Sequence, residues 1–497
     1  MKQQIPPILR PDHVTPVLVS SLAREFHLEF AVSGDAKLTG ISMNTADLRT
    51  GDLFVAMPGL KTHGANFLPK AVEAGCAAVV TDQAGLEIIS ELELEVGHLP
   101  ILVLESPRKH LGKLAAFVYG NLGTDRPKMF ATTGTNGKTS TGYLLEAILR
   151  QLGETTGLTT TAERHIAGEV IVSRLTTPES TEMNALIARM REKNCTAISI
   201  EVSAQALSQL RVDGLFFDVA GFTNLSHDHL DDYKDMNDYL AAKAQLFTPE
   251  RAARGVVSLD SEYGAEFAAL SQISIKTISS KPGVAADFLI EVSNQEPGRT
   301  YFVLSSNDGK KLQSSVPIIG AHMAANAGLA IAMLIEAGYD FEVIEKAISG
   351  GIDAYLPGRT ELVSPVGAPA VYVDFGHSPD AFLNTLSAVR KVTEGKVIML
   401  FGADGDRDAT KRPAMAKVAA EGSDILVITD HHPRFENPAS IRKTLMDAAK
   451  QARPEMEIYE VSPPEAAIRK AVSLAKPGDS ILWAGPGHQD YRDIEGV

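Results

Sequence analysis

An α/β fold of about three units is predicted by three observations. At 497 residues the chain exceeds what one core fills, and roughly 150 residues per domain gives about three. The run GTNGKTS, at 134–140, lies between an apolar strand and an amphipathic helix. After Pro357, Gly358 and Arg359, apolar strands recur at 371–373, 397–401, 425–428 and 481–483, each followed by a turn or helix, as in a parallel sheet covered by helices. The expected architecture is a small N-terminal α/β unit over 1–108, a central P-loop unit with a doubly wound sheet over 109–355, and a C-terminal Rossmann-like unit over 356–497. The last lacks the GxGxxG fingerprint, so no dinucleotide is inferred. The chain shows no internal repeat and no low-complexity tract.

Composition narrows the function. With 44% hydrophobic and 22% charged residues the chain is an ordinary globular protein. A net charge of −15 disfavours nucleic acid as a partner, while leaving room for local basic pockets that take small anions. Two cysteines, Cys76 and Cys195, supply neither a cysteine-rich zinc site nor a disulfide framework, which suits a reducing cytoplasm. The first twenty residues hold no apolar signal core, and no apolar run reaches about 18 residues. A cytoplasmic monomer without membrane insertion, acting on soluble substrates, is expected.

The GTNGKTS run carries the first chemistry. Met129, Phe130 and Ala131 read as its strand, and Leu144, Leu145, Ile148, Leu149 and Leu152 share one helical face ending at Gly153. Small residues in the turn let backbone N–H groups face a triphosphate at a helix N-terminus. Lys138 then reaches the β/γ-phosphates and the Thr139 hydroxyl holds Mg²⁺. Thr132 stands where the GxxxxGK pattern has its first glycine.

Three further segments add ligands. Ile198, Ile200 and Val202 alternate with Ser199 and Glu201, a strand whose acidic residue falls close to its end and can serve the same Mg²⁺. In TNLSHDHLDDY, at 223–233, Asp228, His229 and Asp231 offer hard oxygen and imidazole ligands to a second cation. Tyr239, Leu240, Lys243, Leu246 and Phe247 lie at helical spacings, which puts Lys243 among apolar neighbours. On those residues alone, a lysine stem lying along a core edge explains the position.

Taken together and in order, GTNGKTS, EVSAQAL, TNLSHDHLD, YLAAK, GAHMAAN, PGRTE, VDFGHSPD and FGADGDRDATKRP resemble the Mur ligases of peptidoglycan assembly, in particular the branch that adds the third stem residue. The resemblance covers essentially the whole chain. It implies three domains, holding in turn a UDP-sugar, ATP and an incoming amino acid. The implied reaction is ATP-driven amide formation, in which the γ-phosphate moves to the D-glutamyl γ-carboxylate of UDP-MurNAc-L-Ala-D-Glu and a free amino acid's amine attacks the acyl phosphate. Two Mg²⁺ ions are implied, and CO₂ as a carbamate on Lys243 that ligates the metal. Lys138, Glu201, His229 and Lys243 match the family's catalytic positions, and Thr139, Glu201, His229 and Lys243 its metal ligands.

By the same resemblance ATP is held by Gly134, Thr135, Asn136, Gly137, Lys138, Thr139 and Ser140, with Asn326 against adenine, Arg359 on the γ-phosphate and Asp374 on the ribose. Met323 replaces an asparagine of the family's GxHNxxN pattern. Thr176, Thr177, Ser203, Gln209 and Arg211 match contacts to the UDP-sugar dipeptide, Arg211 being suited to an anionic group. The family's Asp-Ser-Arg triplet reads Asn44-Thr45-Ala46, where Thr45 keeps a hydroxyl.

The acceptor pocket leaves two readings open. The family's Asp-Asn-Pro-Arg loop reads His431, His432, Pro433 and Arg434; Arg407 stands in GADGDRD, Gly485 is retained, and Gln489 replaces a glutamate. Two arginines favour a distal carboxylate and hence diaminopimelate, whereas two histidines and a glutamine favour a pocket reshaped for lysine or ornithine. The chain also stops soon after Tyr491, where the family continues, implying a short or rearranged last element. Competing readings are a folylpolyglutamate synthetase-like ligase, against which the separate N-terminal unit and LTTPES argue, and a catalytically silent nucleotide-binding scaffold. Closure of the third unit onto the second is expected, because an acyl phosphate must be shielded from water.

Overall fold

A computed structural model describes residues 8–92, 98–124, 126–173, 175–228, 232–365, 367–489 and 491–495. Its centre is an eleven-stranded sheet. Six parallel strands form the middle, in the spatial order Thr156–Thr159, Ala197–Glu201, Lys128–Thr133, Phe217–Phe222, Ala252–Ser258 and Ser274–Ser279. The first four are buried almost throughout, because helices cover both faces of a parallel sheet. The chain fills one side of Lys128–Thr133 before crossing to the other, and such a switch point opens a crevice at the strands' carboxyl ends.

Strict strand–helix alternation, expected over 109–355, holds only for this middle. Antiparallel strands Glu163–Ile166 and Glu169–Val172 extend one edge; at the other, Phe288–Glu296 joins Ser274–Ser279 in parallel and is followed by Arg299–Ser306 and Lys311–Val316 in antiparallel order. The second group turns at Gly298 and Gly309, with φ of +80° and +89°, a conformation glycine adopts without steric cost.

The helix Lys138–Gln151 starts from Gly137, whose φ of +87° closes the turn that follows the strand Lys128–Thr133. It buries Leu144, Leu145, Ile148 and Leu149 against the helix Ala321–Glu336 and one sheet face. Its other polar residues bolt it to the edge hairpin. Tyr143 donates to Glu163 (2.6 Å), and His165 sits between Glu146 (2.7 Å) and Glu163 (3.3 Å). Nearby, Arg164 pairs with Glu182 at 2.6 Å, both almost fully buried.

The N-terminal unit is a five-stranded sheet in the order Glu29–Val32, Ile101–Val103, Ala78–Thr81, Asp52–Ala56, Gly40–Ser42. The helix Pro107–Val118 contributes Leu111, Leu114, Ala115 and Val118 to this core, beside Ala185 and Ala188 of the central helix Ser180–Glu192. The N-terminal core therefore extends past the expected boundary at 108. The third unit is a six-stranded sheet, Glu361–Leu362, Ala370–Asp374, Ser480–Ala484, Val397–Phe401, Ile425–Ile428 and Glu457–Glu460, parallel except for its first strand. Among the described residues no helix is long and apolar enough to cross a membrane.

The hairpin bolt titrates. Burial pulls the His165 imidazole down, but hydrogen bonds and charge from Glu146 and Glu163 outweigh it and hold the ring at about 9, above the ordinary value of about 6.5. A pKa raised on folding gives stability that is complete below about pH 6.5 and is lost as pH climbs through about 9. Thermal unfolding is expected to lose on the order of 3 kcal/mol across that window, and His165→Phe to flatten the loss; an equally steep fall in the variant would contradict the assignment.

Candidate active site

The central and third units meet at the crevice. A cleft of about 490 Å³ is lined by the turn 135–140, Glu201, Lys243 and Asn326 from the central unit, and by Arg359, Asp374, His377, Asp404, Lys411, His431 and Gly485 from the third. The segment 223–226 holds the turn from below. Thr135 N–H donates to Asn224 O (2.9 Å), Asn136 N–H to Asn224 Oδ1 (3.0 Å), and Thr223 Oγ1 to Asn136 O (2.6 Å). These two turn amides are thus spent inside the protein. The N–H groups left for a ligand are those opening the helix, from Lys138 to Ser140, which have no intrahelical acceptor. At Gly137 an added Cβ would stand 2.6 Å from Asn326 Oδ1.

Cations crowd this turn. Lys138 Nζ donates to Thr135 O (2.8 Å) and Gly134 O (3.1 Å) and lies 4.0 Å from Glu201. Lys243 Nζ, on the helix Met236–Ala244, donates to Gly134 O at 2.8 Å and stands 4.2 Å over the Tyr239 ring. Only 1% of Lys243 is exposed, and burial, aided by the charge of Lys138, pushes its ammonium well below the ordinary lysine value. Arg359 donates from Nη2 to Thr139 Oγ1 (3.1 Å) and stacks over Phe375 at 4.4 Å. Its buried Nη1 has no hydrogen-bond partner among the described residues. An orphaned buried donor of this kind costs about 1–3 kcal/mol unless something accepts from it.

One carboxylate organises the turn. Glu201 accepts from Thr139 Oγ1 (2.8 Å) and from Thr161 through N–H (2.9 Å) and Oγ1 (3.1 Å). Thr161 Oγ1, its one proton given to Glu201, accepts in turn from Thr176 Oγ1 (2.9 Å). Asp374 lines the cleft, yet it already accepts from Thr360 N–H (2.8 Å) and Gly376 N–H (2.7 Å). Asn326 Nδ2 lies 3.9 Å from the sulfur of Met323, the residue standing in for an expected asparagine.

The remaining expected residues divide. Thr176, Ser203 and Arg211 line the cleft, and Arg211 is braced by Glu179 (2.8 Å) and Gln209 (2.7 Å). Thr177 does not line it: fully buried, it donates to Glu201 O (2.9 Å) and accepts from Ser203 N–H (3.1 Å). It is a strut rather than a surface contact. The exposed Gln209, the buried Gly134 and Thr45, half-buried after the strand Gly40–Ser42, are not among the residues lining the cleft. Among the acceptor residues, Arg407, His431, His432, Arg434, Gly485 and Gln489 line the cleft, whereas Pro433 does not. His229 and Asp231 lie outside the described residues.

Sequence reasoning passed over the bridge between units. Asp228 pairs with Lys411 at 2.9 Å, both nearly buried, and lies 3.7 Å from His377; His227 lies 3.4 Å from Asp408. Asn136 Nδ2 donates to Ser378 Oγ at 3.4 Å. Lys411 and His377 stand within the motifs DATKRP and VDFGHSPD, but nothing local to those motifs says that their partner lies some 150 residues or more upstream. Asp404, His431 and His432 come within 4.8 Å of one another, a metal-like spacing, although both His432 nitrogens are already engaged, by Gln489 and by Asp493 N–H.

Three family models match in sequence along the chain: the Mur ligase family catalytic domain over 37–119, the Mur ligase middle domain over 132–334, and the Mur ligase glutamate ligase domain over 358–487. The chain belongs to the Mur ligase family. Among relatives of this Mur ligase, UDP-N-acetylmuramyl-tripeptide synthetase of Leifsonia xyli subsp. xyli is 50% identical over 99% of this chain and 95% of its own. UDP-N-acetylmuramoyl-L-alanyl-D-glutamate--2,6-diaminopimelate ligase of Streptomyces coelicolor is 39% identical over 98% and 95%. A solved UDP-N-acetylmuramoyl-L-alanyl-D-glutamate--2,6-diaminopimelate ligase superimposes with a TM-score of 0.64 at 25% identity, over 93% of this chain and 92% of that one. The three-domain α/β fold is that of the Mur ligases.

The tight turn supplies a direct check on the cleft. Gly137→Ala combines a left-handed φ with a Cβ against Asn326, strain of about 1–3 kcal/mol, so binding of a non-hydrolysable ATP analogue is expected to weaken by about tenfold or more in titration calorimetry. Unchanged affinity would remove the turn from the nucleotide site.

Proposed function

We propose that this Mur ligase adds a diamino acid to UDP-MurNAc-L-Ala-D-Glu, with ATP consumed to ADP and phosphate, as a cytoplasmic monomer in peptidoglycan precursor synthesis. The observation that carries this reading is the convergence of three cations on one turn: Lys243 at Gly134 O, Arg359 at Thr139 and Lys138 beside Glu201, the carboxylate that accepts from Thr139. Buried cations around one turn suit a triphosphate, and the orphaned Arg359 Nη1 suits an oxygen of its γ-phosphoryl group. The names of the relatives supply the sugar-linked substrate. Both cysteines are free and buried, in keeping with a reducing compartment.

In this reading Lys138 and the N–H groups opening its helix grip the phosphates, Asn326 flanks the base, and Arg359 holds the γ-phosphoryl oxygens. Asp374, whose oxygens already accept from Thr360 and Gly376, shares one with the ribose. Thr176, Ser203 and Arg211 orient the dipeptide so that the D-glutamyl γ-carboxylate faces the γ-phosphorus. Its oxygen attacks phosphorus, the bond to ADP breaks, and an acyl phosphate forms. The acceptor amine, presented by the third unit, then attacks the carbonyl carbon; phosphate leaves and the nitrogen loses a proton as the amide forms.

Thr139 and Glu201 would hold one Mg²⁺, with His229 and a carbamate on Lys243 at a second, and the ions would supply charge neutralisation during phosphoryl transfer. Lys243 fits that modification because CO₂ adds to a neutral amine, and burial holds this amine neutral more readily than an exposed lysine. The five-stranded N-terminal sheet and its family match weigh against a folylpolyglutamate synthetase-like activity. Phosphate release with UDP-MurNAc-L-Ala-D-Glu and a panel of diamino acids tests the reading, and none with any of them would refute it.

Removing the modified amine gives a sharper expectation. Lys243→Ala should lower kcat by about 10²–10³-fold, the range for losing one preorganised charge at a reacting group. Short carboxylic acids added to the assay should restore part of it by replacing the carbamate. A variant that keeps full activity, or that no acid rescues, would contradict a carbamate at this position.

A further inference from the structure

Three motifs of the third unit meet at one point that the reaction above leaves unused. Gly358 of PGRTE, Phe375 of VDFGHSPD and Gly487 of GPGHQ are far apart in the chain, yet their backbones close on one another. A Cβ added to Gly358 would stand 2.1 Å from Gly487 C and 2.2 Å from His488 N, and one added to Gly487 would stand 2.6 Å from Phe375 Cβ. Both glycines hold positive φ, +61° and +54°, so the chain crosses here in a form that glycine adopts without steric cost. The crossing backs the Phe375 ring, which follows the strand Ala370–Asp374. The His488 ring lies 5.3 Å from it, and the His377 ring meets it edge-on at 5.2 Å.

What this ring supports is Arg359, whose guanidinium carbon lies 4.4 Å from the ring centroid. Among the described residues the guanidinium makes one hydrogen bond, from Nη2 to Thr139 Oγ1 (3.1 Å), while Nη1 is buried without a partner. Thr139 Oγ1 is itself shared, since it donates to Glu201 (2.8 Å). Asp374, beside Phe375 in the chain, is no substitute, because its oxygens already accept from Thr360 and Gly376 N–H. A long, rotamer-rich side chain with one shared hydrogen bond is not fixed in plane, whereas a guanidinium stacked on an aromatic face is. Arg359 is only 9% exposed, and a cation held over a ring away from water is attracted more strongly than one at the surface. When a nucleotide draws Nη2 from Thr139, the ring remains as the support.

We infer that Phe375 is a positioning residue for phosphoryl transfer: its ring aims the Arg359 guanidinium so that Nη1 faces the γ-phosphoryl oxygens, with the Gly358–Gly487 crossing as its backing. The inference rests on the reading of Arg359 given above. The loop that backs the ring also carries Gly485 and Gln489 of the cleft lining, so the wall expected to present the amine and the support of the arginine are one piece of backbone.

Titration calorimetry on the full chain with Mg²⁺ tests this by comparing ADP with a non-hydrolysable ATP analogue, because the ratio of the two affinities isolates the γ-phosphoryl contribution. Phe375→Leu should cut the preference for the analogue by about 5–30-fold, the worth of a desolvated cation–π contact. Its affinity for ADP should stay within about twofold of the parent, which also shows that the variant folds. Phe375→Tyr keeps the ring and should keep the preference. An unchanged preference in Phe375→Leu, an equal loss of ADP and analogue, or the same loss in Phe375→Tyr each overturns the inference. Arg359→Ala separates the two readings. If it too leaves the preference unchanged, the γ-phosphoryl group is not held by this arginine and both readings fall; loss in Arg359→Ala alone overturns only the role of Phe375.

Discussion

Charge imbalance around a single turn governs this molecule. Lys138, Lys243 and Arg359 are all drawn out of water beside Thr139, and burial lowers the pKa of each. Glu201 is the carboxylate that Thr139 and Lys138 share. Cations buried this deeply cost several kcal/mol unless paired, so the surrounding fold must hold them in place until a polyanion arrives. The sheet does so by ending the strands Lys128–Thr133 and Ala197–Glu201 side by side, with Glu201 in register with Thr132. The helix bolted by Tyr143, Glu146 and His165 keeps Thr139 and Lys138 from drifting away from that edge.

The third unit completes the site rather than merely adjoining it. Arg359 reaches Thr139, Lys411 neutralises Asp228, and Ser378 accepts from Asn136. A reactive acyl phosphate formed between these walls would be sheltered from water while the amine approaches. The described arrangement is thus one in which the two units already share hydrogen bonds through the nucleotide turn, and the acceptor pocket opens directly onto it.

The parts of this design that follow local rules were legible in the sequence. Strand-end placement located Glu201 and Lys138 before any geometry, and apolar periodicity located the third unit's strands to within a residue or two. Lys243 was ambiguous, since an apolar helix face explains a buried stem as well as a reactive amine, and its approach to Gly134 is a contact that spacing does not encode. The antiparallel strands from Phe288 to Val316 were missed because their turn signals were read within an assumed alternation of strands and helices. Thr177, Arg434 and the pairing of Asp228 with Lys411 depend on partners distant in the chain, which motif spacing does not encode. Position in a motif marks a residue as part of a site, whereas its hydrogen-bond partners decide whether it is free to meet a ligand.

The meeting of the γ-phosphoryl group with the sugar-linked carboxylate at the Lys138 turn is tested most directly by isotope transfer. With ¹⁸O placed in the D-glutamyl γ-carboxylate of UDP-MurNAc-L-Ala-D-Glu, mass spectrometry of the released phosphate should find one labelled oxygen per amide bond formed. Phosphate released without label, alongside normal amide formation, would mean that the carboxylate never attacks phosphorus, and the acyl-phosphate chemistry assigned to this turn would be wrong.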